Sequence, residues 1–239
     1  MIIGNGQLAN AFKEFDDKEI VIFASGVADS NCIDEKQFER ERLLLTSTLS
    51  KYNDKTFVYF SSCALSAKEY PLNDYYKHKK QMELLIKKTT ENYYIFRIPQ
   101  LFGKLKTHKT LINFIYNSIM NDEEFILYSD AYRYVIEMSD LVKLVNMYLQ
   151  YHKPKITIDL ANPYNYKVSE IVEIFEELLG KKSKYKILNK EDKYLLDLKA
   201  QNNFIEKYKI KVYFSKSYLR NKLLVLIKEI EGNQLNDKK

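Results

Sequence analysis

Short apolar runs alternate with longer stretches of helical period over the first hundred residues, an order that dictates a parallel sheet covered by helices. Residues 1–3 are a very short first strand, and the turn Gly4-Asn5-Gly6-Gln7-Leu8-Ala9 opens a helix to about Phe15. Residues 19–24 (EIVIFA) read as a buried strand ending at Ser25-Gly26. Residues 35–49 set Phe38, Leu45 and Leu49 amid charges, which is an amphipathic helix. The next strand, 57–60, runs into Ser61-Ser62-Cys63. A helix over 74–88 puts Tyr75, Met82, Leu85 and Ile86 near one face, and a strand over 93–98 stops at Pro99. Beyond Gly103 the rhythm loosens. Helices are predicted near 111–120, 139–149 and 217–230, with strands at 125–128 and 156–160. A further helix starts at a Ser169 cap and ends at Gly180, and 232–239 is a polar tail that frays.

With 239 residues, 46% of them hydrophobic and 29% charged, the chain can bury a substantial core as an ordinary soluble protein. Its start lacks the basic-then-apolar pattern of a secretory leader, and no apolar run reaches membrane-spanning length. Cys32 and Cys63 form no Cys-x-x-Cys motif, so reduced thiols in a cytoplasmic protein are expected, without a metal site. The formal charge of +6 is interspersed with acids along the chain. Such a field suits an anionic ligand, and no aromatic-basic module points to nucleic acid.

Gly4, Gly6 and Ala9 give G-x-G-x-x-A between a strand and a helix, where backbone amides can hold a pyrophosphate; a tight turn without a ligand is the alternative. An acidic residue about twenty positions on would grip an adenosine ribose. That place holds Ala24-Ser25-Gly26; Asp16 and Asp17 come too early and Asp29 too late. Further on, Tyr75 and Lys79 are four apart on one helix, so a phenol and an ammonium reach one pocket. Tyr76 and Lys80 make a second such match in a chain with 20 tyrosines, and Ser61-Ser62 is either a catalytic pair or a cap.

Taken in order, these segments resemble the extended short-chain dehydrogenase/reductase family of sugar-nucleotide epimerases, dehydratases and 4-ketoreductases. GNGQLA resembles its glycine motif, IVIFASG its fourth-strand motif and FVYFSSCALS its fifth. YYKHKKQME resembles Tyr-x-x-x-Lys-x-x-x-Glu through Tyr75, Lys79 and Glu83, a register that also fits Pro71 and favours Tyr75 over Tyr76. FRIPQLFG resembles Arg-x-Pro-x-x-x-Gly through Arg97, Pro99 and Gly103. RYVIEMSDLV resembles Arg-x-Phe-Ile-x-x-x-Asp-Leu through Arg133 and Asp140, and IDLANPYNYKVSEIVEIF resembles the element after it. One departure is sharp: the fourth-strand motif directly follows the first helix, as though the second and third strands were deleted. A family sheet ordered 3-2-1-4-5-6 then becomes 1-4-5-6 with the first strand near an edge.

The resemblance implies an α/β fold, a truncated Rossmann-type sheet with helices on both faces. Residues 1–103 and 126–163 would form the cofactor domain, and 104–125 with 164–239 a small substrate lobe. It implies a reductase of nucleotide-linked 4-keto sugars, or an epimerase, using NADP or NAD in surface polysaccharide synthesis. The alternative is a scaffold or ligand sensor without cofactor. Tyr75 would be the general acid/base, Lys79 would lower its pKa and bond the nicotinamide ribose, and Ser62 would hold the reacting oxygen. Cofactor contacts fall to Gly4, Asn5, Gly6, Gln7, Leu8, Ala24, Ser25, Gly26, Ser61, Tyr75, Lys79, Ile98 and Pro99. Substrate contacts fall to Arg133, Ser62 and Gln100, with a surface ion pair the other use of Arg133. The basic loop of Lys106, His108 and Lys109 and the neighbouring His78 read as exposed, and Cys63 as a small buried residue. A homodimer through helices 35–50 and 75–88 is implied as well.

Overall fold

The computed structural model describes residues 1–15, 17–67, 70–105 and 110–236. In chain order the elements are β1 (Ile2–Ile3), α1 (Gln7–Ala11), β2 (Ile20–Phe23), α2 (Glu35–Lys51), β3 (Thr56–Ser62), a 3₁₀ turn (Cys63–Ser66), α3 (Asp74–Thr89) and β4 (Tyr93–Ile98). There follow β5 (Gln100–Phe102), α4 (Leu111–Met120), β6 (Glu124–Arg133), β7 (Val135–Glu137), α5 (Met138–Tyr151) and β8 (Ile156–Asp159). The chain ends with β9 (Tyr166–Lys167), α6 (Val168–Leu179), β10 (Lys184–Asp192), α7 (Lys199–Lys207) and α8 (Tyr218–Asn236). It divides into two compact units.

The first unit comprises 1–99, 138–160 and 196–210. Its sheet is ordered β1-β2-β3-β4-β8 with all neighbours parallel, a Rossmann-like arrangement with β1 at an edge, as the resemblance implies. The buried runs IVIF, FVYF and YYIF supply its central strands. On one face Val21, Phe23, Phe57, Tyr59 and Ile95 pack with Leu45 and Leu49 of α2 and Met82 and Ile86 of α3. Helix α2 begins on an Asp34 cap that accepts from the Lys36 amide, and α3 on an Asn73 cap that accepts from the Tyr76 amide. Helix α1 stops at Ala11, short of Phe15, because Phe12 turns inward, fully buried, with its ring 5.6 Å from that of Phe60.

The second unit comprises 100–137, 161–195 and 211–239. It holds a sheet ordered β10-β6-β9 and the pair β5-β7. Ile112, Ile115 and Tyr116 of α4, Ile171 and Phe175 of α6, and Leu219 and Leu223 of α8 form its core. The cap of α6 differs from expectation: Lys167, not Ser169, precedes the helix, and its amide donates to Glu170 Oε2 at 2.8 Å. Gly180 closes α6 in the left-handed region, φ +62°. Helix α8 continues past Ile230 to Asn236, where a fraying tail was expected. Among the described residues no helix is long and apolar enough to cross a membrane, and no cluster of His, Cys, Asp or Glu suits a metal.

Candidate active site

The expected residues of the first unit gather at the carboxyl ends of its parallel strands. After β1, Gly4 adopts φ +132°, and a Cβ there would collide with the carbonyl oxygen of Ala24. Strand packing alone therefore demands this glycine. At Gly6, by contrast, a Cβ would meet nothing within 4 Å, so no internal contact requires glycine. Asn5 is exposed and accepts from Asn10 Nδ2, while Gln7 and Leu8 are half-buried at the start of α1. After β2, Arg40 of α2 donates to the carbonyl and hydroxyl oxygens of Ser25.

On α3 the residues 75, 78, 79, 82, 83 and 86 form the buried face, so three polar side chains share a stripe with Tyr75, Met82 and Ile86. The Lys79 ammonium, 3% exposed, donates to Glu41 Oε1 at 3.0 Å and to the Tyr59 hydroxyl at 3.1 Å. Tyr59 donates to the same Oε1 at 2.6 Å, and the Val27 amide donates to Oε2 at 2.6 Å. His78 Nε2 lies 3.0 Å from Oε2; an ionised carboxylate only accepts, so that nitrogen carries a proton. Burial opposes charge on Glu41, but Lys79, His78, Tyr59 and Val27 outweigh it and hold the carboxyl far below its usual range. Gly26 completes the cluster. A Cβ there would stand 2.5 Å from Lys79 Nζ and 2.9 Å from Glu41 Oε1.

Two expectations need correction here. His78 is not exposed: it is buried, stacked on Phe38 with 4.7 Å between ring centres, because position 78 falls on the face that meets α2. Nor is the Tyr75 phenol lowered towards neutrality. Burial, then Tyr76, Glu41 and Asp29, push it well above the usual tyrosine range, although Lys79 Nζ is 5.8 Å from its ring centre.

Ser62 Oγ accepts from the Ala64 amide at 3.4 Å, a long cap on the 3₁₀ turn, and Ser61 Oγ is buried without a hydrogen-bond partner among the described residues. Cys63 is buried, its thiol donates to the Arg97 carbonyl at 3.1 Å, and burial followed by Asp159 raises its pKa, which suits the small buried residue anticipated. Two motif residues meet: Arg97 grips Glu83 with both arms at 2.8 and 2.7 Å, and its third contact is Ser66 Oγ at 2.9 Å. Ile98 and Pro99 are half-buried at the end of β4.

In the second unit Gln100 opens β5, its amide donating to the Tyr134 carbonyl. Arg133 is engaged with Asp192 at 2.6 Å and with the carbonyls of Tyr132 and Asp192, so the ion-pair alternative describes its present partners. Lys106, His108, Lys109 and Asp16 lie outside the described residues. A cavity of about 240 Å³ opens between α5, β8 and α7, lined by Tyr148, His152, Ile158, Phe204 and Lys207, and none of the expected site residues borders it. It is smaller than the usual ligand pocket of roughly 300–1,000 Å³.

Glu41 was not foreseen, although the sequence carries a signal. It stands three after Phe38 and four before Leu45, on the apolar face of α2, where a carboxylate requires a buried cation.

No protein-family model matches the sequence, and no curated protein matches it. Solved structures do match its fold. UDP-glucuronic acid 4-epimerase from Bacillus cereus, in complex with UDP-glucuronic acid and NAD, superposes with a TM-score of 0.72 at 14% identity, covering 95% of this chain and 79% of that one. UDP-N-acetylglucosamine 4-epimerase from Methanobrevibacter ruminantium gives 0.69 at 18% identity, covering 94% and 80%. RMD from Pseudomonas aeruginosa, complexed with NADPH, gives 0.70 at 14% identity, covering 90% and 82%. The chain has the fold of the sugar-nucleotide epimerases and dehydratases. Within that epimerase/dehydratase fold the motif order and the edge position of β1 fall as the resemblance implied.

Proposed function

We propose that this protein is an NAD(P)-dependent reductase of nucleotide-linked 4-keto sugars. The observation that carries the reading is the placement of Tyr75 and Lys79: one helical turn apart, ammonium 5.8 Å from the ring centre, beside the glycine at the end of β2. The residues fit a coenzyme at two of its three parts. Gly6 leaves open space for a pyrophosphate to approach the backbone amides of residues 5–8. Lys79 has three N–H donors and uses two within the protein, so one remains for a ribose hydroxyl. The sequence places no acidic residue at the end of β2 for the adenosine part, which argues for loose, exchangeable binding.

When bound, NAD(P)H supplies the hydride that reduces the sugar carbonyl carbon. Tyr75 gives its phenolic proton to the carbonyl oxygen, and Ser62 holds that oxygen by a hydrogen bond. Loose coenzyme suits net reduction, since an epimerase keeps its coenzyme through the cycle. The remaining roles follow the resemblance: Ile98 and Pro99 beside the nicotinamide, Gln100 and Arg133 on substrate. We further infer a cytoplasmic homodimer serving surface polysaccharide synthesis. Leu43 on α2 and Leu84 on α3, each more than half exposed, support pairing of these helices.

A second reading, a non-catalytic sensor, is favoured by one observation: Glu41 already neutralises Lys79. Isothermal titration with NADPH and NADH, followed by turnover of UDP- and dTDP-4-keto sugars, separates the two. The reductase reading expects micromolar binding and sugar-dependent coenzyme oxidation. No binding with no turnover would favour the non-catalytic reading, and submicromolar binding would remove the reason for preferring reductase to epimerase.

A further inference from the structure

Strand β3 ends at Ser62, and the 3₁₀ turn that follows decides where that side chain stands. Within the turn Ser62 is held lightly, its Oγ accepting from the Ala64 amide at 3.4 Å. The far end of the turn is held hard. Ser66 Oγ accepts from Arg97 Nη1 at 2.9 Å and gives its single proton to the Asp159 carboxylate, whose oxygens stand 2.7 and 2.6 Å away. Arg97 and Asp159 are register partners on β4 and β8, and Arg97 spends its other two nitrogens on Glu83 of α3, one turn beyond Lys79. One hydroxyl therefore joins the turn that carries Ser62 to the helix that carries Tyr75 and Lys79.

We propose that Ser66 is a positioning residue for Ser62: by bridging Asp159 and Arg97 it fixes the turn, so that the Ser62 hydroxyl keeps one place relative to helix α3. Use of that hydroxyl rests on the reductase reading; the bridge does not. The other ties of the turn are weaker. Cys63 donates to the Arg97 carbonyl through a thiol, a poor donor, and the Ala67 amide reaches the Ala64 carbonyl at 3.3 Å. The bonds at Ser66 involve a guanidinium and a carboxylate, which makes them the strong ones. Without this hydroxyl, Asp159 and one Arg97 nitrogen lose the partner they share, and the turn keeps only its weaker ties.

The test begins with amide hydrogen exchange, followed by NMR, in the coenzyme-free, full-length protein. In Ser66→Ala the amides of Ala64 and Ala67 should exchange about tenfold faster or more, while those of β2 exchange as in the parent. Ser66→Thr keeps the hydroxyl and should keep the parent rates. Asp159→Asn weakens the same bridge and should show a smaller change, which serves if the alanine variant fails to fold. In turnover of a 4-keto sugar, Ser66→Ala should lower kcat roughly 10- to 100-fold with KM little changed. The loss should vanish in a Ser62→Ala background, because a bridge that acts through Ser62 then has nothing to place. Parent exchange rates at Ala64 in a folded Ser66→Ala or Asp159→Asn protein, or a kcat loss that persists undiminished in Ser62→Ala, would overturn the proposal. Faster exchange in the variant with no turnover in the parent would support the bridge and sink the reductase reading alone.

Discussion

A lysine enclosed as fully as Lys79 needs a carboxylate beside it, and the fold supplies one at Glu41. Removing one partner of a buried pair strands the other, so Lys79→Met should cost about 3–5 kcal/mol in urea unfolding, and Glu41→Gln in the same molecule should recover most of it. The pair also sets a pH limb. Glu41 titrates near 4.5 in the unfolded chain and lower in the folded one, so its stabilisation is complete above 4.5 and is lost as pH falls through the folded value. Acid unfolding followed by circular dichroism should show this limb in the parent and a flatter one in Glu41→Gln. Tyr75 and Lys79 were legible as a pair because helical spacing is set by the backbone. Their partner was not, because it lies 38 residues from Lys79 in sequence and its role exists only once α2 packs on α3.

At the scale of elements, the turn between β1 and α1 carries two glycines for different reasons. Gly4 has a positive φ and a backbone oxygen where a Cβ would go, so Gly4→Ala should destabilise the fold by about 1–3 kcal/mol. Gly6→Ala should leave stability within roughly 0.5 kcal/mol yet weaken NADPH binding about tenfold or more in calorimetry, because a methyl there meets no protein atom and would meet only the pyrophosphate proposed to bind. Retained affinity in Gly6→Ala would count against this turn as a phosphate cradle. Strand β4 and helix α4 have the bounds read from sequence, since Asn92 and Pro99 or a Thr110 cap punctuate strongly apolar runs. Strand β10 was missed. Its residues, KYKILNKED, are almost all exposed and alternate charge with scattered apolar groups, so only pairing with β6 defines it. Helix α7 was missed for a related reason: it buries only Gln201 and Phe204.

For the whole molecule, the sheet's first strand has one neighbour, and a hydrophobic layer beneath β2, β3 and β4 holds the helices to it. That much followed from the order of motifs; that 126–137 fall in the second unit and 196–210 in the first rests on long-range contacts that no local pattern records. The exposed leucines of α2 and α3 give a prediction at this scale: Leu43→Glu with Leu84→Glu should convert a dimer into a monomer in light scattering, with little change in unfolding midpoint. The most direct test of the account follows deuterium from [4,4-²H₂]NADPH into a nucleotide-linked 4-keto sugar by NMR. The account predicts one deuterium at C4 of the sugar, with the rate falling on the order of 10²–10⁴-fold in Tyr75→Phe. Transfer that is absent from the parent protein, or as fast in Tyr75→Phe, would contradict it.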